Sequence, residues 1–167
     1  MTTSTMRIGI VGAGQNTRLR HIPGFQSIPG VEVVAVCNRS RESGQRVAEA
    51  FQIPMVYEDW TELVQAPGID AICIGTWPDL HCPVTLAALE AGKHVLTEAR
   101  MALDAAQARA MRDAARRRPS LVAQVVPAPF TFKFDKTIQD LIASGYLGEI
   151  LAIELQAAER GFIDREG

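Results

Sequence analysis

RIGIVGAG, from Arg7 to Gly14, is the stretch on which the reading of the whole chain turns. Arg7 to Val11 is a short apolar run bounded by glycines, the pattern of a buried strand that ends in a sharp turn. Val31 to Cys37 (VEVVAVC) is its β-branched counterpart one helix length later. Between the two, NTRLRHIPGFQSI has the length for a helix that begins near Gln15, with Pro23 in its early turns or at a kink.

Outward from this unit the alternation continues. Ser40 or Ser43 is placed to cap a helix through SGQRVAEAFQI, which must stop before Pro54. EDWTELVQA predicts a short helix, and IDAICIG (Ile69 to Gly75) a third strand. HCPVTLAALEAGK is an apolar-faced helix closed by Gly92, and HVLTE a fourth strand. Asp104 to Arg118 is alanine-rich with a basic C-terminal end, favourable on propensity and dipole grounds, and SLVAQVV follows as a fifth strand. Apolar strands each followed by a helix bury both faces of a parallel sheet, so the expected fold class is α/β, a Rossmann-type doubly wound sheet.

The pattern changes after Val126. PAPFTFKF reads as a loop, KTIQDLIASGYLGE as a helix with a glycine-marked turn, and ILAIELQAA alternates as a strand does. That strand is either a sixth member of the same sheet or an edge whose partner lies elsewhere. Residues 1–126 are therefore read as one domain and 127–167 as the loop, helix and opening strand of a largely absent second one.

The totals narrow the function. The chain has 167 residues, nearly half of them hydrophobic, and a formal net charge of −2. That balance gives no field to attract nucleic acid or an anionic membrane, and no apolar segment is long enough to cross a bilayer. Cys37, Cys73 and Cys82 are widely spaced, and with His21, His81 and His94 they form no compact ligand set, so no metal site and no disulfide framework is expected. A cytoplasmic enzyme or binding protein acting on a small molecule remains.

Gly12 and Gly14 stand where missing side chains let a dinucleotide pyrophosphate approach the amides that open the next helix, at Gln15 and Asn16. Thr17 fills the place of a third small residue, which predicts looser or shifted packing. At the end of the second strand a carboxylate would bind both ribose hydroxyls of NAD and repel the extra phosphate of NADP. Here Asn38 is neutral, Arg39 can bind phosphate, and Ser40 and Arg41 are close by. NADP is the preferred cofactor on this ground, with NAD the alternative. Gly75, Thr76 and Trp77, at the third strand's exit, are candidates for the nicotinamide side. His81 either orients that loop or acts chemically.

With IGIVGAG, AICIGTWPDLHCPVTLAALEAGKHVLTEARMAL and IQDLIASGYLGEI in this order, the chain resembles the glucose-fructose oxidoreductase, inositol dehydrogenase and rhizopine-catabolism family (Gfo/Idh/MocA). The resemblance implies a Rossmann domain followed by an α/β domain that usually mediates homo-oligomerisation and supplies much of the substrate pocket. It also implies hydride transfer between NAD(P) and a sugar, cyclitol or related carbonyl/alcohol pair. The family's Glu-Lys-Pro motif matches Glu98, Ala99 and Arg100, so alanine stands where the proton-handling lysine is usual. Arg100 and His81 are the catalytic candidates that remain, and Glu98 is read as an orienter of the cofactor loop. The family's polar Asn-x-Arg loop matches VVPAPFTFKF, where Lys133 is the nearest cation. These departures set beside the enzyme a second reading, a dinucleotide-binding accessory or regulatory protein without strong turnover.

Overall fold

The computed structural model describes residues 5–127 and 134–154. The chain divides into two compact units, Met1–Pro127 and Ala128–Gly167. In the first, strand β1 (Met6–Val11) pairs in parallel with β2 (Val31–Cys37) on one side and with β4 (Ala71–Ile74) on the other. A parallel neighbour requires a crossover, and each crossover carries a helix. These are a π-helical turn (Thr17–His21) running into α1 (Ile22–Gln26), then α2 (Arg41–Phe51), α3 (Trp60–Gln65), α4 (Pro78–Glu90) and α5 (Ala105–Arg116).

The remaining strands are β3 (Met55–Tyr57), β5 (His94–Thr97) and β6 (Ala123–Val125), and the sheet order is β3-β2-β1-β4-β5-β6 with every pairing parallel. The order reverses at β1, beside β4. In a doubly wound sheet that switch point opens a crevice at the strands' carboxyl ends, where ligands bind. One expectation is corrected here. The sequence predicts five strands before Val126, and β3 makes a sixth. Three residues beside Pro54, half exposed, carry too little periodicity to be read as a strand, and they are recruited by pairing with Ala35 to Cys37.

The helices begin where their caps allow. Ser40 accepts the Ser43 N–H, Asp59 the Thr61 N–H and Asp104 the Gln107 N–H, each satisfying a first-turn donor with no intrahelical acceptor. α4 starts three residues before His81, because Pro78 fits the first helical position, where no N–H is needed. Two apolar layers hold the sheet. Ile72, Ile74, Leu63, Val84 and Leu89 pack on one face, and Ile8, Ile10, Ile22, Val36 and Val47 on the other. All three cysteines are buried free thiols, and burial pushes Cys37 up to about 11 and Cys73 up to about 12, so both stay protonated.

In the second unit, α6 (Asp135–Ala143) is followed by turns in which Gly145 and Gly148 have positive φ. Residues 150–154 are not in a strand. The rest of ILAIELQAA, and Ala128 to Lys133 of the apolar loop, lie outside the described residues.

Candidate functional site

The switch-point crevice is built on two backbones in contact. Gly12 has φ +84°, and a Cβ there would sit 2.6 Å from the Thr76 methyl and 2.7 Å from its backbone nitrogen. Gly75 faces the same junction, where a Cβ would lie 2.0 Å from Thr17 Oγ1 and 2.5 Å from the Gly12 carbonyl oxygen. The β1 and β4 exits therefore touch only because both residues lack side chains. Thr17 is buried and its hydroxyl donates to Gly12 O at 3.3 Å. Of the looser or shifted packing expected at Thr17, the looser alternative does not occur, since Gly75 provides the space that a smaller residue at 17 would have left.

Gly14 borders open space, with only Gly75 O at 3.5 Å from a Cβ built on it. Gln15 and Asn16 follow, exposed, at the start of the helical segment, where first-turn amides have no internal acceptor. Space at a glycine beside first-turn donors is the arrangement that a pyrophosphate would need.

Asn38 follows β2 with both ends of its amide engaged. Its Oδ1 accepts the Ala13 N–H at 2.7 Å and its Nδ2 donates to Ser43 O at 3.2 Å. Asn38 thereby ties the glycine loop to α2. Arg41 is ion-paired with Glu58, and Ser40 is the cap of α2. Arg39 is exposed and makes no hydrogen bond or ion pair among the described residues. Of the two arginines singled out after β2, it is the one available to a ligand.

On the other side of the crevice, Glu98 follows β5. It accepts from Asn16 Nδ2, contacts His21 Nε2 at 2.6 Å, and takes the Ala99 N–H at 3.2 Å. Burial alone would raise the Glu98 carboxyl, but the bonds to His21 and Asn16, the His21 charge interaction and the Ala99 amide outweigh it and hold it below the ordinary value. His21 was not singled out from sequence. Ile22 N–H bonds to Thr17 O, an i→i+5 closure, so this turn is π-helical and brings Asn16 and His21 to one carboxylate.

The linkage sign is fixed by that lowered value. The Glu98 contribution to stability is fully present above the unfolded carboxyl value of 4.5 and is lost as pH falls through the lower folded value. Glu98→Gln is therefore expected to cost on the order of 1 kcal/mol at pH 7, the difference from wild type closing on acidification below the unfolded value. Urea midpoints of the two proteins measured across that range check it.

His81 is 1% exposed, with Nδ1 2.7 Å from Arg100 O and Nε2 3.1 Å from Thr76 O. A neutral ring donates to one of these carbonyls and an imidazolium to both. Either way it ties the Thr76 loop to the Glu98–Arg100 loop, and it presents no free nitrogen to the crevice. Arg100 and Ala99 are exposed, joined by a cis peptide bond, and Arg100 does not pair with Glu98. Trp77 is 81% exposed at the crevice side of α4, with the Thr76 hydroxyl bonded to its carbonyl at 3.0 Å. Among the described residues no group of His, Cys, Asp or Glu is arranged to hold a metal ion, and no helix is long and apolar enough to cross a membrane.

Residues 6–125 match the model of an oxidoreductase family described as having an NAD-binding Rossmann fold. The chain belongs to the Gfo/Idh/MocA family. It is 33% identical over 156 residues to the dTDP-3,4-didehydro-2,6-dideoxy-alpha-D-glucose 3-reductase of Streptomyces violaceoruber, covering 91% of this chain and 44% of that protein. The D-glucoside 3-dehydrogenase of Escherichia coli K12 is 32% identical over 163 residues, covering 96% and 45%. Among solved structures, KijD10, a 3-ketoreductase from Actinomadura kijaniata in complex with TDP-benzene and NADP, superposes with a TM-score of 0.72 at 27% identity, over 85% of this chain and 44% of that one. The chain thus spans under half the length of the curated Gfo/Idh/MocA relatives named here.

Proposed function

We propose that the protein is an NADP(H)-preferring oxidoreductase interconverting a carbonyl and an alcohol on a sugar, cyclitol or related small molecule, with residues 1–126 as its dinucleotide-binding half. The observation that carries the cofactor preference is the end of β2: Asn38 is neutral with its amide occupied by backbone, and Arg39 is exposed with no partner among the described residues. A 2′-phosphate meets no carboxylate at Asn38 and one uncommitted guanidinium beside it. The sugar reductase, glucoside dehydrogenase and NADP-bound ketoreductase among its relatives support the reaction class. Buried, protonated thiols suit a reducing cytoplasm, and a homo-oligomer of the whole protein fits the family.

Gly12, Gly14, Gln15 and Asn16 would hold the pyrophosphate, and Arg39 with Ser40 the adenosine end. Gly75, Thr76, Trp77 and Glu98 would border the nicotinamide. The bound nicotinamide supplies or accepts the hydride. This chain's own residues orient it: His81 fixes the Thr76 and Arg100 loops together, and the Asn16–Glu98–His21 cluster fixes the start of the first helical segment to the end of β5. Arg100 is the cation placed to meet an anionic or carbonyl oxygen of a substrate.

Titration of the protein with NADPH and NADH tests the reading. NADPH is expected to bind at least about tenfold tighter, the worth of one charge-assisted phosphate contact. Equal affinity, or none for either, overturns it. A second reading, the accessory protein, is favoured by Ala99. Its signature is tight cofactor binding with no turnover across sugars, cyclitols and keto acids.

A further inference from the structure

The arginine-flanked loop is not the only basic wall near the end of β2. A groove of about 660 Å³ lies between the first helical segment and α2, lined by Ala13 and Asn38, by the two cations Arg18 and Arg46, and by the apolar Leu19, Val47 and Phe51. Neither Arg39 nor Arg41 lines it. Arg18 stands on the π-helical turn, where its N–H bonds to Gly14 O at 3.0 Å, so its backbone is fixed directly to the glycine loop. Its side chain is exposed and has no hydrogen bond or ion pair among the described residues. An uncommitted guanidinium rooted one turn from the pyrophosphate cradle is placed to read whatever the adjoining ribose carries.

Arg46 is the second cation on the groove. It pairs with Glu42 at 2.5 Å, an i,i+4 pair whose side chains are 65% and 82% exposed. Such a pair contributes little, and a phosphate dianion offering three acceptor oxygens competes well for the guanidinium. Ser43, one turn before Arg46 on α2, has its carbonyl bound by the Asn38 amide. The Asn38 amide thus ties the glycine loop, at Ala13, to the first turn of α2, at Ser43.

We propose that Arg18 and Arg46 close on the 2′-phosphate of NADP(H) from the helical side, so that this groove, and not the Arg39 loop alone, selects the phosphorylated cofactor. The inference rests on the dinucleotide reading above and deepens it. It assigns the phosphomonoester to a site between two helices whose shape is set by the π-helical turn. An unrelated phosphate ester offers the same chemistry, so the probes must separate the nucleotide's own phosphate from a free one.

The experiment is calorimetric titration of the protein with adenosine 2′,5′-bisphosphate, AMP and inorganic phosphate, for wild type and for Arg18→Ala, Arg46→Ala, the double variant and Arg39→Ala. Wild type is expected to prefer the bisphosphate over AMP by at least about tenfold, with inorganic phosphate weaker than either. The double variant is expected to lose most of that preference at unchanged AMP affinity, and Arg18→Lys to restore part of it as a point charge. If the double variant keeps the full preference while Arg39→Ala erases it, the groove assignment is wrong. Loss of AMP affinity in the double variant at an unchanged unfolding midpoint also overturns it, because the groove would then serve the adenosine. Tighter binding of inorganic phosphate than of the bisphosphate would mean that a different phosphate ligand uses the groove. A wild-type protein that binds AMP and bisphosphate equally, or binds no nucleotide, removes the dinucleotide reading itself, an outcome separable from the others.

Discussion

Gly75→Ala is expected to lower the stability of the first unit by about 1–3 kcal/mol, the ordinary range for forcing atoms into a packed site, and to weaken NADPH binding with it. The new methyl group would sit 2.0 Å from the Thr17 hydroxyl and 2.5 Å from the Gly12 carbonyl oxygen. The first neighbour can rotate away, but the second is main chain. Relief therefore requires the glycine loop to move off β4, and that loop is the cradle on which the cofactor reading depends. Removing the side-chain part of the clash separates the two causes. Thr17→Ala in the Gly75→Ala background should recover a part of the loss and leave the part owed to Gly12 O, giving a coupling of roughly 0.5 kcal/mol or more between two residues 58 positions apart in the chain. Urea midpoints of the four proteins, with an NADPH titration of each, measure it. A Gly75→Ala protein with wild-type midpoint and affinity would mean that the two strand exits are not in this contact.

How far the sequence reaches can be judged at this junction. The alternation of apolar runs and helical segments is a local signal, and it placed β1, β2, β4 and β5 close to where they form, because strands buried on both faces must be apolar throughout. It failed at β3, which is a strand through its pairing with β2 and not through its own three residues. It left looser or shifted packing open at Thr17, since the compensating glycine follows another strand and only tertiary contact shows that Gly75 leaves the room. His21 was missed for a geometric reason. In an α-helix residues five apart diverge by about 140°, so Asn16 and His21 would not be read as partners. The i→i+5 closure of the turn is what brings them to Glu98, and no periodicity in TRLRH announces it. Asn38 was legible as a neutral residue at the end of β2, yet its two bonds to backbone were not, because they depend on where Ala13 and Ser43 come to rest. The choice between Arg39 and Arg41 likewise needed Glu58, which lies beyond α2.

Ala99→Lys is the substitution expected to raise turnover most, by about 10²-fold or more in kcat/KM toward a suitable ketosugar or cyclitol. Carbonyl reduction leaves an oxygen that needs a proton, and alcohol oxidation needs that proton removed. Arg100 is beside the position, but a guanidinium binds an oxygen through its fixed fork of donors and has no acceptor with which to take a proton. His81 has both ring nitrogens against main-chain carbonyls and is buried, and the Nε2 of His21 is held by Glu98. Ala99, by contrast, is exposed, and its N–H is anchored on Glu98 Oε2, so a longer side chain has room while the backbone stays in place. A lysine there supplies mobile donors whose pKa falls toward neutrality when a closed site desolvates it. Because position 99 is separate from the glycine loop and from Arg18, Arg39 and Arg46, NADPH affinity should change little, and the gain should appear in the chemical step. Following nicotinamide absorbance over a panel of sugars, cyclitols and keto acids, with wild type and variant side by side, measures it. The gain is expected whether the natural protein is a slow enzyme or a binding module, since both readings lack a proton carrier at this position. Equal turnover by the two proteins, at a rate well above background, would mean that the proton already travels through a group outside residues 98–100.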